Sequence, residues 1–321
     1  MIMNWNKIGQ IFNPTKWNDG IDRPWMRTHA QCPSALVLKD AVRIYFSSRP
    51  YPDINGKHST NTGYLDLDKK DLTKIISVSE KPLMELGSIG DFDQYGIYPS
   101  CIMNMKNEYR FYYAGWSRCD DVPFNTSIGM AISTNGKDFE RYSKGPILGA
   151  SPTEPFVISG PKVRKFNDNW YMFYLAGTDW KLHDGKPEII YKIKMATSTN
   201  GIDWQRENRN IIVDKLNIDE CQAGPDVFYH DGLYRMYFVY REGFDFREKE
   251  GRGYKIGYAT SKDLLNWDRD DSKAGICYSK EGWDSTMQHY PHIFNLDGKI
   301  YMIYNGNEFG KYGFGLAELV Q

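Results

Sequence analysis

Short hydrophobic segments rich in Tyr, Phe, Ile and Met alternate along the whole chain with polar turns rich in Asn, Asp and Gly. The 3.6-residue period of an amphipathic helix is nowhere sustained, and aromatic or β-branched segments bounded by turn residues are typical of strands. The segments form repeats, each with a proline shortly before an aromatic strand. The prolines are Pro33, Pro99, Pro161, Pro225 and Pro291, at spacings of 66, 62, 64 and 66 residues.

Each repeat contains the same succession of predicted strands. We expect each proline to open the first, innermost strand, which leads through a polar turn to an aromatic strand, as in residues 171–174 (Tyr-Met-Phe-Tyr), and this predicts a β-hairpin. A third strand follows, such as residues 193–198, and then a tight turn such as residues 199–204 and a fourth strand. Four antiparallel strands repeated five times predict an all-β, five-bladed β-propeller. A two-sheet sandwich is the alternative, but it gives no reason for a fixed period.

The last repeat has only three predicted strands before the sequence ends at Gln321. Residues 5–12, at the other end of the sequence, resemble residues 204–212, which lead into a fourth strand. We therefore expect the N-terminal strand to close the ring, which removes the open sheet edges that invite aggregation. On this interpretation residues 1–321 form a single propeller domain.

Charge and composition argue against several classes of protein. With 40 Lys and Arg against 41 Asp and Glu, the chain has no broad positive field for nucleic acid. No segment approaches the ~20 apolar residues of a membrane span, and the first ten residues lack the apolar core of a signal peptide. Five scattered cysteines without a Cys-x-x-Cys pair fit free thiols in a reducing compartment, so we expect a cytoplasmic protein.

Strand direction places the loops before the prolines and the loops after the aromatic strands on one face of the predicted ring. These loops carry carboxylates, arginines, histidines and tryptophans from all five blades. Aromatic residues make up 15% of the chain, and their flat rings can stack on sugars. On these loops they stand near carboxylates and arginines, which can bind sugar hydroxyls. We therefore expect a carbohydrate or sugar-phosphate substrate in an axial pocket. The sequence leaves the oligomeric state open.

Three loop carboxylates are candidate catalytic groups: Glu220, Asp93 and Asp284. Two carboxylates that flank a glycosidic bond act as acid and base, at a separation of about 5–9.5 Å. Glu220 follows Asp219, and adjacent like charges can raise one pKa towards neutrality. The structural alternatives are a solvated loop for Glu220, bonds to backbone N–H groups for Asp93, and a turn cap for Asp284.

Nine further residues are candidates for substrate binding: Arg49, Arg118, Arg241, His29, His289, Trp116, Trp283, Asn305 and Asp226. The planar guanidinium of arginine suits phosphate or carboxylate, and tryptophan offers a stacking face. Ion pairs between blades are the alternative for the arginines and for Asp226. The two histidines show no metal-ligand spacing, so we expect neither a metal nor another cofactor, with an axial or structural divalent cation left as the alternative.

The repeated pattern resembles, over the whole chain, the five-bladed propellers of glycoside hydrolase families 43, 32 and 130. It is most similar to uncharacterised propellers associated with bacterial polysaccharide gene clusters. The matching stretches are residues 46–49, 282–285 and 301–307. Glu220 and Cys221 match a Glu-Cys pair of family 32. Cys32 stands where family 43 has an Asp, and residues 159–161 are Ser-Gly-Pro instead of Glu-Gly-Pro.

The resemblance implies a glycoside hydrolase-like enzyme that acts on a glycosidic linkage by carboxylate acid–base chemistry. Two alternatives stay open. The first is a glycoside phosphorylase or a sugar transferase in polysaccharide metabolism, which a cytoplasmic address favours because phosphorolysis conserves bond energy. The second is a non-catalytic sugar-binding propeller, which the departures from the family 43 pattern favour.

Overall fold

The computed structural model describes residues 3–320, in which twenty strands form five four-stranded antiparallel sheets. The sheets are the blades of a ring, and the innermost strands of neighbouring blades contact each other around its axis. This arrangement confirms the predicted all-β, five-bladed propeller. No helix in the described part of the chain is long and apolar enough to cross a membrane.

The strands run outward from the axis in chain order within the first four blades. Strand β1 spans Asn4–Phe12. Blade one contains β2 (Thr28–Val37), β3 (Ala41–Arg49), β4 (Asn61–Asp68) and β5 (Ile75–Val78). Blade two contains β6 (Gly96–Asn104), β7 (Tyr109–Ser117), β8 (Asn125–Ser133) and β9 (Glu140–Arg141). Blade three contains β10 (Ile158–Phe166), β11 (Asn169–His183), β12 (Lys186–Ser198) and β13 (Gln205–Arg206).

The remaining strands complete the ring. Blade four contains β14 (Cys221–His230), β15 (Leu233–Arg241), β16 (Lys255–Ser261) and β17 (Asp268–Arg269). Blade five contains β18 (His289–Leu296), β19 (Lys299–Asn305), β20 (Phe314–Val320) and, at its outer edge, β1. One 3₁₀ turn (Asp271–Lys273) and a tight turn over Asn307–Gly310, in which Glu308 and Phe309 have positive φ, complete the described elements.

The N-terminal strand closes the ring, as the sequence predicts. Strand β1 pairs antiparallel with β20, from Asn4 opposite Val320 to Phe12 opposite Phe314. Trp5 in β1 also reaches the neighbouring blade, where its Nε1–H donates to the Tyr237 hydroxyl at 2.9 Å. The closing strand therefore joins blade five to blade four as well as completing its own sheet.

Replacing Trp5 by Phe is expected to lower the free energy of unfolding by about 1–3 kcal/mol, because the buried Tyr237 hydroxyl loses its hydrogen-bond donor. Chemical denaturation measures this change. Ile8→Val on the same strand is the control, since Ile8 is exposed and the substitution should change stability by less than about 0.5 kcal/mol. Equal stability of Trp5→Phe and the native chain would contradict this role for the closing strand.

Tyrosines in the second strands join successive blades. The Tyr45 hydroxyl of blade one donates to the Gly136 carbonyl in the Asn-Gly turn of blade two, at 2.8 Å. The Tyr112 hydroxyl of blade two donates in the same way to the Gly201 carbonyl of blade three, at 2.9 Å. A buried hydroxyl must find an acceptor, so the aromatic strand and the polar turn of the sequence repeat are two halves of one contact between blades.

Every innermost strand is interrupted by a register shift beside its proline. The strands begin before the prolines, which corrects the expectation that the prolines open them. Proline has no N–H for the ladder and is tolerated where a bulge breaks the pairing. The residues before four of the prolines have positive φ: Cys32 (54°), Gly160 (61°), Gly224 (54°) and Tyr290 (51°). Glycine adopts this conformation without strain, whereas the cysteine and tyrosine do so at a cost of about 1 kcal/mol or more.

Candidate active site

A cavity of about 1030 Å³, here called the axial cavity, opens on the face that carries the loops before the prolines. All five blades line it, through the bulges of the innermost strands and through the loops after the second strands. The bulges contribute Cys32, Tyr98, Gly160, Gly224 and Tyr290. A bulge changes the direction of a side chain relative to a regular strand, so the strained residues Cys32 and Tyr290 are those turned towards the cavity.

Blade three gives the cavity an additional wall. Its hairpin of β11 and β12 extends well beyond those of the other blades, and Trp180 and Lys186 on it line the cavity. Trp180 packs edge-on against Phe124 from the loop between β7 and β8, with ring centroids 5.9 Å apart. Glu188 on β12 accepts from Arg247 at 2.6 Å and ties the wall to the loop after β15. The mouth of the cavity is thus bordered by aromatic rings.

Five of the nine predicted substrate-binding residues line the axial cavity: Arg49, Arg118, Arg241, His289 and Trp116. Arg118 sits at the rim, where it donates to Asp53 at 3.0 Å and to the His58 carbonyl at 2.8 Å. Trp116 donates its Nε1–H to the Thr60 hydroxyl at 2.9 Å. Both side chains are therefore held in place by blade one.

The other four candidates do not line the cavity, which corrects the expectation for His29, Trp283, Asn305 and Asp226. Trp283 packs on Tyr304 inside blade five, with ring centroids 5.0 Å apart. Asn305 accepts from the Cys32 N–H and donates to the Ala30 carbonyl, so it supports the bulge of blade one. Asp226 is fully buried below the cavity, in an ion pair with Arg164 from the neighbouring blade.

The predicted catalytic carboxylates Asp93, Glu220 and Asp284 also lie outside the lining of the axial cavity. All three are at most 1% exposed and are paired inside their own blades. Asp93 accepts from the Tyr113 hydroxyl and from Arg141, each at 2.9 Å. The loop before the innermost strand directs this carboxylate away from the axis. Its side chain lies between the second and the fourth strand of the blade.

The same arrangement recurs around the ring. Asp284 accepts from Tyr304 at 3.0 Å and from Lys7 at 2.6 Å, and Glu154 accepts from Tyr174 at 2.9 Å and from Arg206 at 2.8 Å. A catalytic acid is needed once in a molecule, whereas a buried carboxylate paired with a basic residue recurs in four blades, in three of them with a tyrosine donor, and matches a structural unit of the repeat. In the sequence, the signal that these carboxylates are structural is their recurrence with a basic residue in successive repeats.

Glu220 is held as an anion by its surroundings. Burial favours the neutral acid, but hydrogen bonds from Arg269, from the Lys215 N–H and from Gln222 hold the pKa of Glu220 below its ordinary value. The same balance, with Lys7 as the main donor, holds the pKa of Asp284 below its ordinary value. A general acid needs a pKa raised towards neutrality, whereas the pKa values of these two carboxylates are lowered.

Positive charge dominates the axial cavity, although the chain as a whole is nearly neutral. Seven cationic side chains line it, against three carboxylates: Arg49, Lys57, Arg118, Lys162, Lys186, Arg241 and Arg247, against Asp120, Asp121 and Glu188. Asp120 and Asp121 are exposed on the loop between β7 and β8, and Glu188 is already paired with Arg247. The cavity therefore has an excess of positive charge that can attract an anion.

Arg49 and Arg241 have no carboxylate partner among residues 3–320, and the Nε atom of each is buried without a hydrogen bond. Arg241 is 3% exposed, lies 3.5 Å from the centroid of the Phe246 ring, and donates to the Tyr191 hydroxyl. His289 is 2% exposed, and its Nδ1 has no partner within the described chain. Burying charge without a counter-ion is costly, and Arg241 is compensated by neutral acceptors, the Glu242 and Gly243 carbonyls and the Tyr191 hydroxyl, so its charge is available to an anion.

The buried histidines predict that the protein loses stability in acid. Burial lowers the pKa of His289 well below its ordinary value and that of His292 to about 4. Below about pH 6.5 the unfolded chain binds protons that the folded protein excludes, so the free energy of unfolding falls, by at most about 1.4 kcal/mol per pH unit for each histidine. Urea unfolding between about pH 7 and pH 5 measures the change.

His289→Gln should remove part of this pH dependence, and His58→Gln should remove less of it, because His58 is exposed and its pKa is lowered less far. A free energy of unfolding that stays constant over this range would contradict the neutral state of the buried histidines.

One group of possible metal ligands occurs in residues 3–320: His183, Asp184 and Asp245, with ligand atoms within 4.8 Å of one another. It lies at the tip of the blade-three hairpin and outside the lining of the axial cavity. Asp245 already accepts from Lys249 at 2.6 Å and from Arg252 at 2.9 Å. Both cations bind Oδ2 of Asp245, and its Oδ1 lies 2.8 Å from His183 Nε2.

The fold and the axial cavity define a five-bladed propeller of the kind found in glycosidases. A putative glycosidase from Bacteroides thetaiotaomicron matches with a TM-score of 0.70 and 17% identity, over 98% of this chain and 96% of that one. A thermostable family-43 glycoside hydrolase matches with a TM-score of 0.64 and 13% identity, over 95% of this chain and 91% of that one. These likenesses confirm the fold resemblance that the sequence suggests.

The chain belongs to the same family as the "Uncharacterized protein Rv1502" of Mycobacterium tuberculosis (strain ATCC 25618 / H37Rv), with 34% identity over 319 residues and 99% of both chains covered. A more distant similarity is to a beta-1,2-mannobiose phosphorylase of Thermoanaerobacter sp. (strain X514), at 22% identity over 157 residues. That match covers 46% of this chain and 49% of the phosphorylase. No protein-family model matches the chain.

Proposed function

We propose that this protein is a carbohydrate-active enzyme of the glycoside phosphorylase type, which transfers a glycosyl group between a sugar hydroxyl and phosphate in the axial cavity. The observation that carries the proposal is the pair of cavity arginines without a carboxylate partner, Arg49 and Arg241, in a lining with seven cations. Phosphate carries the charge and the oxygen geometry that guanidinium groups bind in bidentate fashion. The similarity to two phosphorylases that act on mannose-containing substrates supports this choice.

Phosphorolysis also needs fewer catalytic carboxyl groups than hydrolysis does. A hydrolase needs one carboxyl group as acid and a second as base or nucleophile at the scissile bond. Phosphate is itself the nucleophile, so a phosphorylase needs only one proton donor. In the net reaction hydrogenphosphate forms a bond to the anomeric carbon, the glycosidic C–O bond breaks, and one proton reaches the leaving oxygen. We assign the delivery of that proton to Asp120 or Asp121, exposed carboxylates of the lining without an ion-pair partner in residues 3–320, which a bound sugar would shield from water.

The aromatic border suits the other half of the substrate. Trp180 and Trp116 offer faces for sugar rings in the same cavity that Arg49 and Arg241 line. A glycan that enters along the axis would therefore place its terminal sugar next to the bound phosphate. The free cysteines of the structure agree with the cytoplasmic address that we propose, where phosphate is available as a substrate.

The test measures phosphate release in the synthetic direction. The purified protein is incubated with a panel of sugar 1-phosphates, beginning with mannose 1-phosphate, and with sugar acceptors. The proposal predicts phosphate release that requires both partners, and phosphorolysis of the product when phosphate is added. Turnover of glycosides at a rate independent of phosphate would instead show a hydrolase. Glycan binding without turnover in either direction would show a sugar-binding propeller.

A further inference from the structure

Five polar side chains form a ring around the propeller axis below the cavity, here called the axial ring. Each follows the proline of its blade: Ser34, Ser100, Lys162, Asp226 and His292. All are at most 8% exposed, and Ser100 and Lys162 form part of the cavity lining. The bulge beside each proline turns these residues to the axis. The fold therefore sets the five positions of the ring, and the sequence sets which side chain stands at each position.

Lys162 is joined to the ring by one hydrogen bond. Its Nζ lies 2.8 Å from His292 Nδ1, and His292 Nε2 lies 3.1 Å from the Ala35 carbonyl oxygen. A carbonyl can only accept, so in the neutral imidazole Nε2 carries the proton, and Nδ1, which also lies 3.2 Å from Asp226 Oδ2, accepts from the lysine. No other acceptor among residues 3–320 takes a hydrogen bond from Lys162 Nζ. Two N–H bonds of the ammonium are therefore free for a ligand in the cavity.

The charge of Lys162 has no counter-ion of its own. Asp226 is the nearest carboxylate on the axis, but its Oδ1 accepts from Arg164 at 2.5 Å and its Oδ2 from the Ile293 N–H at 2.7 Å. One carboxylate thus faces both the guanidinium of Arg164 and the ammonium of Lys162. Burial lowers the pKa of Lys162, and Asp226 offsets this only in part.

The groups that face Lys162 come from all five innermost strands. They are Cys32 on β2, Cys101 on β6, Arg164 on its own strand β10, Asp226 on β14 and His292 on β18. Of these, Arg164 and Asp226 form an ion pair, and the pKa of Cys32 is raised to about 12 by burial. Burial lowers the pKa of His292 to about 4, so it stays neutral near pH 7. Lys162 is therefore the group of this set that responds to a new negative charge.

We propose that Lys162 takes up a proton when an anion binds in the axial cavity, so that anion binding is coupled to protonation of the axial ring. The proposal rests on the proposed function, for which the anion is phosphate or the phosphate group of a sugar phosphate. A bound anion stabilises the ammonium and accepts its two free N–H bonds. Release of the anion leaves the buried ammonium of Lys162 without compensation, so the lysine loses its proton.

Isothermal titration calorimetry of the native protein with sulfate tests this coupling. Sulfate remains a dianion throughout the range from about pH 6 to pH 9, whereas phosphate itself titrates there. Titrations in two buffers of different ionisation enthalpy give the number of protons taken up. We expect uptake that rises with pH towards about one proton, and an affinity that falls by up to tenfold per pH unit in the same range.

Three variants assign the proton. Lys162→Arg should bind sulfate with an affinity nearly independent of pH and without proton uptake, because arginine stays charged. Lys162→Met should weaken binding at about pH 6 by at least tenfold. Lys194→Met is the matched control, since Lys194 is a buried lysine of the same blade that does not line the cavity and should leave binding unchanged.

The outcomes separate the two proposals. Sulfate binding with no proton uptake, or with the same uptake in Lys162→Arg, would overturn the coupling and leave the anion site intact. The absence of both sulfate and phosphate binding by the native protein would overturn the anion site, and with it the coupling.

Discussion

Glu220→Gln is expected to lower the free energy of unfolding by about 3 kcal/mol and to leave the turnover of the folded protein nearly unchanged. Glu220 and Arg269 are both completely buried and form an ion pair at 2.5 Å. The neutral amide would leave the Arg269 charge with Asp271 as its remaining carboxylate partner, at 2.9 Å. Removing one member of a buried pair is costly because the other charge cannot return to water.

Urea denaturation measures the loss of stability, and the rate is measured under conditions where the variant is folded. Glu281→Gln is the control, because Glu281 is an exposed glutamate in the loop before blade five, and its change should stay within about 0.5 kcal/mol. A variant of unchanged stability whose turnover falls by about a hundredfold or more would restore Glu220 as the general acid.

Arg49→Met is expected to raise the Kd for phosphate by about tenfold to a hundredfold and to lower phosphorolysis at least as much. Arg49 ends the second strand of blade one, lines the axial cavity, and has no carboxylate partner in residues 3–320. Its charge is therefore available to the ligand, and hydrogen bonds to charged groups are among the strongest in proteins. Folding should be preserved, since no ion pair is broken.

Arg118→Met is the matched control for this result. Arg118 comes directly after the second strand of blade two and also lines the cavity, but its guanidinium is already bound to Asp53 and to the His58 carbonyl. Its replacement should change the Kd for phosphate by less than about threefold. Arg49→Lys should give an intermediate Kd, because the charge is kept while the planar pair of donors is lost. Equal phosphate affinity in the Arg49→Met variant and the native chain would contradict the anion site.

The sequence predicted the architecture because the architecture is repetitive. Each blade needs an aromatic strand, an Asn-Gly type of turn and a proline at its innermost strand, and each requirement leaves a residue at a regular spacing. The closing strand could be predicted for the same reason, since a missing strand at one end of the sequence matched a surplus strand at the other. Local propensity, turn chemistry and repeat length all agree on this fold.

The site was only partly predictable, because the sequence identifies the loops of one face but not the direction of their side chains. Arg49, Arg241 and His289 reach the cavity, whereas Asp93, Glu220 and Asp284 turn into their blades from loops of the same kind. A shift of one residue in a strand reverses the face to which a side chain points. The bulges make this shift in every blade, and in two of them residues other than glycine, Cys32 and Tyr290, are held at positive φ.

The sequence by itself therefore determined the five blades, their closure by residues 5–12 and the face of the ring that carries the charged loops. Only the tertiary structure decided which charges are free. Arg269 and Arg141 find carboxylates within their own blades, while Arg49 and Arg241 have none. Lys162 meets His292 across the axis although 130 residues separate them. Partners so distant along the chain meet because the ring brings all five innermost strands to one axis, and no local pattern of residues shows which side chains meet there.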